Sequence, residues 1–115
     1  MSNKEYTDLS YEGKSAVQEE ILNYSGDIKD GKKNGKGREY NSERKLIFEG
    51  EFKFGKRKGK GKEYNNEGVL IFEGEYLNGN RNGKGKEYND KGELIFEGEY
   101  LYNYRRKGKE YIKGK

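Results

Sequence analysis

Short runs in which apolar and polar residues alternate recur along the chain and predict β-strands. In Leu70–Leu77, alternate positions place Phe72 and Tyr76 on one face of a strand and two glutamates on the other. A second run, residues 83–88, is shorter, and the intervening residues 78–82 are rich in asparagine and glycine, which suit turns. The pattern predicts a β-hairpin whose arms are joined by a loop over residues 78–82.

The same hairpin pattern recurs with a period of 24 residues, over residues 22–45, 46–69 and 70–93, with a shorter copy over 94–115. Glycines mark the period: Gly26, Gly50, Gly74 and Gly98 stand at equivalent positions. A flexible linker would scatter its glycines, whereas fixed positions indicate backbone that needs positive φ or close approach. A constant period of this length is typical of repeat architectures. The last copy is one residue shorter before Gly108.

The register of the two arms follows from the predicted loop. If the loop is centred between residues 80 and 81, Glu75 lies opposite Lys86, and Gly85 lies beneath the ring of Tyr76. Tyr88 then shares a face with the isoleucines of the first arms, unless a bulge intervenes. Between hairpins, the turns end in glycine, except that Arg44 replaces glycine in the first copy and predicts a less regular turn there.

The spacing of aromatic and glycine residues resembles a known family. The pattern is an aromatic residue, one further residue and glycine, then glycine about five residues on, then Gly-x-Gly. The third copy carries it at Phe72, Gly74, Gly79, Gly83 and Gly85, and other copies match it. This pattern is similar to the MORN repeat, over about residues 22–115. The resemblance implies an all-β, elongated solenoid of consecutive antiparallel β-hairpins and a non-catalytic scaffold or adaptor role.

Composition limits the fold and the location. The 115 residues are 29% hydrophobic and 40% charged, which excludes a large globular core. The 11 Tyr and 5 Phe, however, suit the core of a thin solenoid. There is no cysteine, so disulfides are excluded, and neither a long apolar run nor a signal-like start is evident. We expect a cytoplasmic protein, peripheral at a membrane or the cytoskeleton.

Residues 1–21 differ from the rest of the chain. They lack the glycine pattern and carry a net charge of −3, from two lysines against five acidic residues. One interpretation is a cap of the first strand, either a short helix with Ser15 as N-cap or a decayed hairpin. The alternative is a disordered tail.

Catalytic patterns are weak. The absence of histidine removes the commonest general base, and no serine lies in a nucleophile motif. Residues 55–62 have the wrong spacing for a phosphate-binding loop. Glu73 and Glu75 recur as Glu49 and Glu51 and as Glu97 and Glu99, which favours a structural ladder over an active-site pair. The sequence predicts no enzyme activity, no cofactor and no metal site.

Basic residues concentrate in the predicted loop of each hairpin. Successive hairpins of one sheet would align these loops as a ridge, which suits acidic phospholipid head groups and other phosphates. The alternative is a solvated edge that keeps the array soluble. The predicted anionic-surface residues are Lys32, Lys33, Lys56, Arg57, Lys58, Arg81, Arg105 and Arg106.

Aromatic residues give a second candidate site, a groove for a peptide of a partner protein, because one sheet cannot cover both of its faces. The alternative is that these rings pack on each other as the core. Single-stranded nucleic acid is a less favoured partner, because acidic residues nearly balance the basic ones. The predicted aromatic face consists of Tyr24, Phe48, Phe52, Phe72, Tyr76, Phe96 and Tyr100.

The last copy stops within its second arm, so it would expose a strand edge. Such an edge invites end-to-end pairing with a second copy of the chain. The alternative is that the terminal lysines block this pairing.

Overall fold

The computed structural model describes residues 23–112, and these form one antiparallel sheet in which each strand pairs with the next along the chain. The fold is all-β, and the predicted array of consecutive hairpins with a 24-residue repeat is confirmed. The proposed cap or tail over residues 1–21 lies outside the described residues. The strands are β1 Tyr24–Lys29, β2 Lys32–Tyr40, β3 Leu46–Lys53, β4 Lys56–Tyr64, β5 Leu70–Leu77, β6 Asn80–Tyr88, β7 Leu94–Leu101 and β8 Tyr104–Glu110.

The turns within the hairpins are shorter than the sequence analysis predicted. In the third hairpin only Asn78 and Gly79 separate β5 from β6, and both have positive φ, 50° and 88°. This is the geometry of a type I′ turn, which matches the twist of the flanking strands. Residues 80–82, assigned to the loop from their composition, belong to β6 instead.

The short turn changes the register of the hairpin, so the predicted pairing of Glu75 with Lys86 is wrong. Glu73 lies opposite Lys86, and Gly74 lies opposite Gly85. Between Gly74 and the turn, β6 carries two more residues than β5, and this bulge absorbs the offset. The ring above Gly85 is that of Phe72 rather than Tyr76, because a Cβ at Gly85 would lie 2.6 Å from the Phe72 Cζ.

The last hairpin is one residue shorter than the others, and the residue is missing from the bulge of its second strand. Tyr100 pairs with Arg105 and Gly98 with Gly108, so the bulge of β8 holds one residue fewer than that of β6. The deletion therefore shortens a bulge and keeps the pairing of the glycines and of the tyrosine with its arginine.

The turns between hairpins share one geometry, and the prediction of an irregular turn at Arg44 is wrong. Arg44 has φ 65°, close to the 82° of Gly68 at the equivalent position. The Arg44 amide donates to the Asn41 carbonyl at 2.9 Å, as the Gly68 amide donates to Asn65 at 3.0 Å. Arginine thus adopts the left-handed conformation that glycine adopts in the other copies.

A second bulge, at the ends of β2, β4 and β6, determines the position of Tyr88. The register shifts between Glu87 and Tyr88, and Tyr88 pairs with Leu94. Its hydroxyl donates to Glu73 Oε1 at 2.7 Å. Tyr88 therefore lies on the face that also carries Glu73, opposite to the face of the buried rings.

The core is a continuous row of aromatic rings on one face of the sheet, which we call the aromatic face. Neighbouring rings meet edge to face, with centroids 5.0–5.7 Å apart and interplanar angles of 79–89°. Edge-to-face pairs of this kind contribute about 0.5–1.5 kcal/mol each beyond burial. Phe48 and Phe72 are completely buried, and glycines beneath them let the rings approach the backbone. Ring packing thus links each hairpin to the next.

Candidate functional site

The predicted basic ridge is not built from loops, and this part of the interpretation is wrong. Because each turn has two residues, the basic residues occupy the first positions of the even-numbered strands. Side chains of a strand alternate between faces, so neighbouring basic residues point in opposite directions. The residues placed in strands are Lys32, Lys33, Lys56, Arg57, Lys58, Arg81, Arg105 and Arg106.

Three arginines of this set turn toward the aromatic face and lie over its phenylalanine rings. The guanidinium carbon of Arg57 is 4.1 Å from the centroid of Phe48, and that of Arg81 is 4.1 Å from Phe72. Arg105 lies 4.5 Å from its ring in the same way. Cation–π contacts of this kind are worth about 0.5–2 kcal/mol each. These arginines serve to cover the core.

Glutamates join these basic residues into a row of ion pairs. Glu39 accepts hydrogen bonds from Lys33 Nζ at 2.7 Å and from Arg57 Nε at 2.9 Å. Glu63 accepts from Arg57 and from Arg81, so it bridges two hairpins. The side chains are only 10–24% exposed. Paired, half-buried charges of this kind cannot be removed singly without leaving a partner unpaired.

The pKa values of two glutamates reflect this pairing. Burial raises the pKa of Glu39, but the hydrogen bond from Lys33 and the charge of Arg57 outweigh burial and lower it below its ordinary value. Burial likewise raises the pKa of Glu87, while hydrogen bonds from Arg105 and Tyr100 produce a net lowering. Both carboxylates therefore stay ionised well below neutral pH and hold the basic side chains over the rings.

The aromatic face is closed, so it does not form the peptide groove that the sequence analysis considered. Its rings pack edge to face, and the arginine and lysine side chains cover them. Tyr24, at the first strand, keeps partial exposure. The six remaining residues of the predicted aromatic face are buried: Phe48, Phe52, Phe72, Tyr76, Phe96 and Tyr100.

The other members of the basic set stay at the surface. Lys32, Lys56 and Lys58 are exposed, and Arg106 makes a 3.6 Å ion pair with Glu99. Exposed ion pairs of this kind contribute little to stability. Half of the predicted anionic-surface residues are thus accessible, and they lie in the first three positions of the even-numbered strands.

The opposite side of the sheet, which we call the charged face, carries alternating glutamates and lysines. Glu49, Lys62, Glu73, Lys86 and Glu97 follow one another across successive strands at paired positions. A second row runs parallel to the first, two residues away along the strands. It consists of Glu51, Lys60, Glu75, Lys84 and Glu99.

Between the two rows lies a channel that we call the glycine groove. Its floor is the sheet backbone at Gly50, Gly61, Gly74, Gly85 and Gly98, because side chains at the positions between the two rows would point to the aromatic face. The cavity over β3–β7 measures about 860 Å³, and a further cavity of about 400 Å³ continues it over β1–β4. The channel runs across the strands, so an extended ligand within it would lie between the two rows of charged side chains.

The sequence predicted the glutamates of this groove as a ladder but did not indicate the full rows of lysines that alternate with them. Its one predicted pair, Glu75 with Lys86, was wrong by two residues along the strand, because Lys86 lies opposite Glu73. The recurring Gly-Lys-Gly-Lys-Glu of residues 59–63 and 83–87 is the signal that indicates them. It places two lysines on one face of β4 and of β6, and β2 has Lys36 and Arg38 at the equivalent positions.

Over residues 23–112, no group of three or more acidic side chains is arranged to hold a metal ion. The same range contains no apolar helix of membrane-spanning length.

Comparison with known proteins agrees with the repeat pattern. The family model described as MORN repeat matches residues 24–42, 48–69 and 72–93. Each match begins at the aromatic residue of the first strand of a hairpin. A search of curated proteins gives no match to the chain. The matched segments cover more than half of the sequence and the first three hairpins of the sheet, and the chain therefore belongs to the MORN-repeat family.

Proposed function

We propose that the protein is a non-catalytic scaffold that holds an extended segment of a partner protein in the glycine groove. The observation that supports this most is the groove itself, about 860 Å³ between two rows of charged side chains. MORN repeats are associated with scaffold roles in binding proteins or membranes, which is consistent with this proposal. The array over residues 22–115 is proposed to act as one unit, with residues 1–21 as a separate segment.

The walls of the groove indicate the chemistry of the partner segment. Each wall alternates in sign from strand to strand, so a ligand of one sign would be repelled at every second position. A segment with both acidic and basic residues pairs along its whole length. The partner is therefore proposed to be a mixed-charge segment.

The spacing of the walls indicates the conformation of that segment. One hairpin advances two strands, or about 9.6 Å at 4.8 Å per strand. A polyproline II chain rises about 9.3 Å over three residues. Residues i and i+3 of such a chain would meet equivalent positions of neighbouring hairpins. This match favours a polyproline II segment with like charges three residues apart.

Selection from a displayed library of random peptides tests this function. The decisive variant exchanges a charge pair within the groove, Lys86→Glu with Glu97→Lys, which lie opposite each other in β6 and β7. The control exchanges two exposed charges of a turn, Asp90→Lys with Lys91→Asp. Both variants keep the net charge of +4, so they differ only in the place on the surface at which the charges are exchanged.

Peptides enriched on the unmodified protein are expected to lose about tenfold or more in affinity for the groove variant and to keep their affinity for the control. They are also expected to carry charged residues at three-residue spacing. A library that yields no binder, or binders that ignore the groove variant, would remove the glycine groove as a peptide site.

A second candidate function is attachment to an anionic phospholipid surface through the edge formed by the hairpin turns. It is favoured by four exposed lysines that flank two neighbouring turns, Lys29, Lys32, Lys53 and Lys56. Each basic residue near such a surface contributes about 1 kcal/mol, and the attraction fades within a Debye length. This function corresponds to a cytoplasmic protein that is peripheral at a membrane.

Co-sedimentation with acidic vesicles tests the second function. Changing Lys53 and Lys56 to Gln is expected to remove binding, whereas changing Lys62 and Lys86 to Gln only weakens it. The two variants remove the same charge, so equal losses would assign binding to net charge and not to this edge.

A further inference from the structure

The tips of the four hairpins are equivalent turns filled by different residues. Each is a two-residue turn whose first residue has φ between 49° and 53°. Asp30 and Asn78 fill this position in the first and third hairpins, and both residue types tolerate left-handed backbone. Phe54 and Tyr102 fill it in the second and fourth hairpins, and a bulky side chain is disfavoured there.

Packing of the side chains does not compensate for the disfavoured backbone conformation of these two aromatic residues. The side chain of Phe54 is 71% exposed, and that of Tyr102 is 66% exposed. The core consists of other rings, so asparagine at either tip would suit the turn better. An exposed, strained aromatic residue points to a role outside the folding of the chain.

The charge around the two tips differs. Lys53 and Lys56 flank the second turn, and Lys53 Nζ lies 5.5 Å from the centroid of the Phe54 ring. Leu101 and Tyr104 flank the fourth turn, which carries no lysine in its four residues. In the neighbouring first tip, Lys32 adds a further exposed positive charge. The second tip is thus a phenyl ring between lysines.

From this arrangement we infer that Phe54 is a membrane anchor, which enters the head-group region of an anionic phospholipid surface while Lys53 and Lys56 contact lipid phosphates. Aromatic rings are stable at this depth, and neighbouring lysines supply attraction to acidic lipids. The turn projects from the edge of a thin sheet, so the ring enters without burying strand backbone. This inference rests on the second function proposed above and assigns it a depth of insertion.

The decisive variant is Phe54→Asn, which copies the residue of the third tip and keeps the charge. It is expected to raise the melting temperature, because asparagine fits the positive φ. It is also expected to lower partition into phosphatidylcholine–phosphatidylserine vesicles by about fivefold to tenfold, because the inserted ring is lost. Tyr102→Asn is the matched control and is expected to raise the melting temperature with a smaller loss of partition.

A direct measure of depth comes from Phe54→Trp, because the chain contains no other tryptophan. Its fluorescence is expected to shift to shorter wavelength with the acidic vesicles and to be quenched by brominated lipid, whereas Tyr102→Trp shifts less.

The outcomes separate the two proposals. If the unmodified protein does not bind acidic vesicles, the second function fails and this inference fails with it. If it binds while Phe54→Asn binds equally well and Phe54→Trp shows no shift, the inference is overturned and the second function stands. Equal losses of partition in the Phe54→Asn and Tyr102→Asn variants would also overturn it. The lysines beside Phe54 would then give that tip no greater share in membrane binding than the fourth tip has.

Discussion

Replacing Gly74 with alanine tests whether close approach of backbone and rings holds the repeats together. A Cβ at this position would lie 2.5 Å from the Lys84 carbonyl oxygen and 2.6 Å from the Gly85 Cα. It would also lie 2.9 Å from Cζ of Phe72, which is completely buried. The φ of Gly74 lies outside the left-handed region, so the cost of alanine is steric and not conformational.

The size of the effect follows from what would have to move. The two closest atoms belong to the backbone of β6, so relief requires that β5 and β6 separate at a central pair. Overpacking typically costs about 1–3 kcal/mol, and a clash with backbone belongs at the upper end. Alanine also lowers the conformational entropy of the unfolded chain, which stabilises the folded protein by about 0.4–1 kcal/mol and offsets part of this cost. We expect a net loss of about 2 kcal/mol, or about 8–16 °C in melting temperature.

Thermal and urea unfolding followed by far-ultraviolet circular dichroism measures this loss. Gly79→Ala is the comparison, because a Cβ there meets no atom within 4 Å and only the positive φ of 88° opposes it. It should cost about 1 kcal/mol. If Gly74→Ala is as stable as the unmodified protein, or less destabilised than Gly79→Ala, the glycines do not act by admitting rings and backbone to close contact.

Three further predictions concern charge, strain and assembly. Folding lowers the pKa values of Glu39 and Glu87. Their contribution to the free energy of unfolding is therefore complete above the ordinary pKa of 4.5 and is lost as pH falls through the pKa values of the folded protein. Thermal melts should be nearly constant down to about pH 5 and fall below it, and constant stability at about pH 3 would contradict this pairing. Arg44→Asn should raise the free energy of unfolding by about 0.5–1 kcal/mol, since asparagine tolerates φ of 65° better; a loss of stability in urea would oppose this account. If β8 pairs end to end with another copy, sedimentation velocity should show dimers that disappear when a capped repeat is added after Lys115, and a monomer at every concentration would contradict the pairing.

The repeat and the strands could be predicted because they depend on local spacing. Glycines at a constant period and alternating first arms identify the hairpins without knowledge of any long-range contact. The register could not be predicted in the same way, because residues 80–82 have the composition of a turn yet continue β6. Only the twist of the flanking strands selects the two-residue turn over a longer loop.

The error in loop length decided the interpretation of the basic residues. In a loop, Arg57 would be a solvated charge available to a ligand. In a strand it turns to one face, where Phe48 and two glutamates hold it. Its neighbours Lys56 and Lys58 turn to the other side and remain exposed. The same register places lysines opposite glutamates on the charged face, so the glycine groove could be seen only after the strands were paired.

The most direct test of the glycine groove is a map of peptide binding on the isotopically labelled protein by nuclear magnetic resonance. The probe is the tightest peptide from the library selection, added to the full chain. Amide shifts are expected to concentrate at Gly61, Gly74 and Gly85 and at the lysines beside them, with little change at the hairpin tips. Shifts that instead concentrate at Phe54 and the other tips, or that follow the arginines over the aromatic face, would contradict the assignment of the charged face as the binding surface.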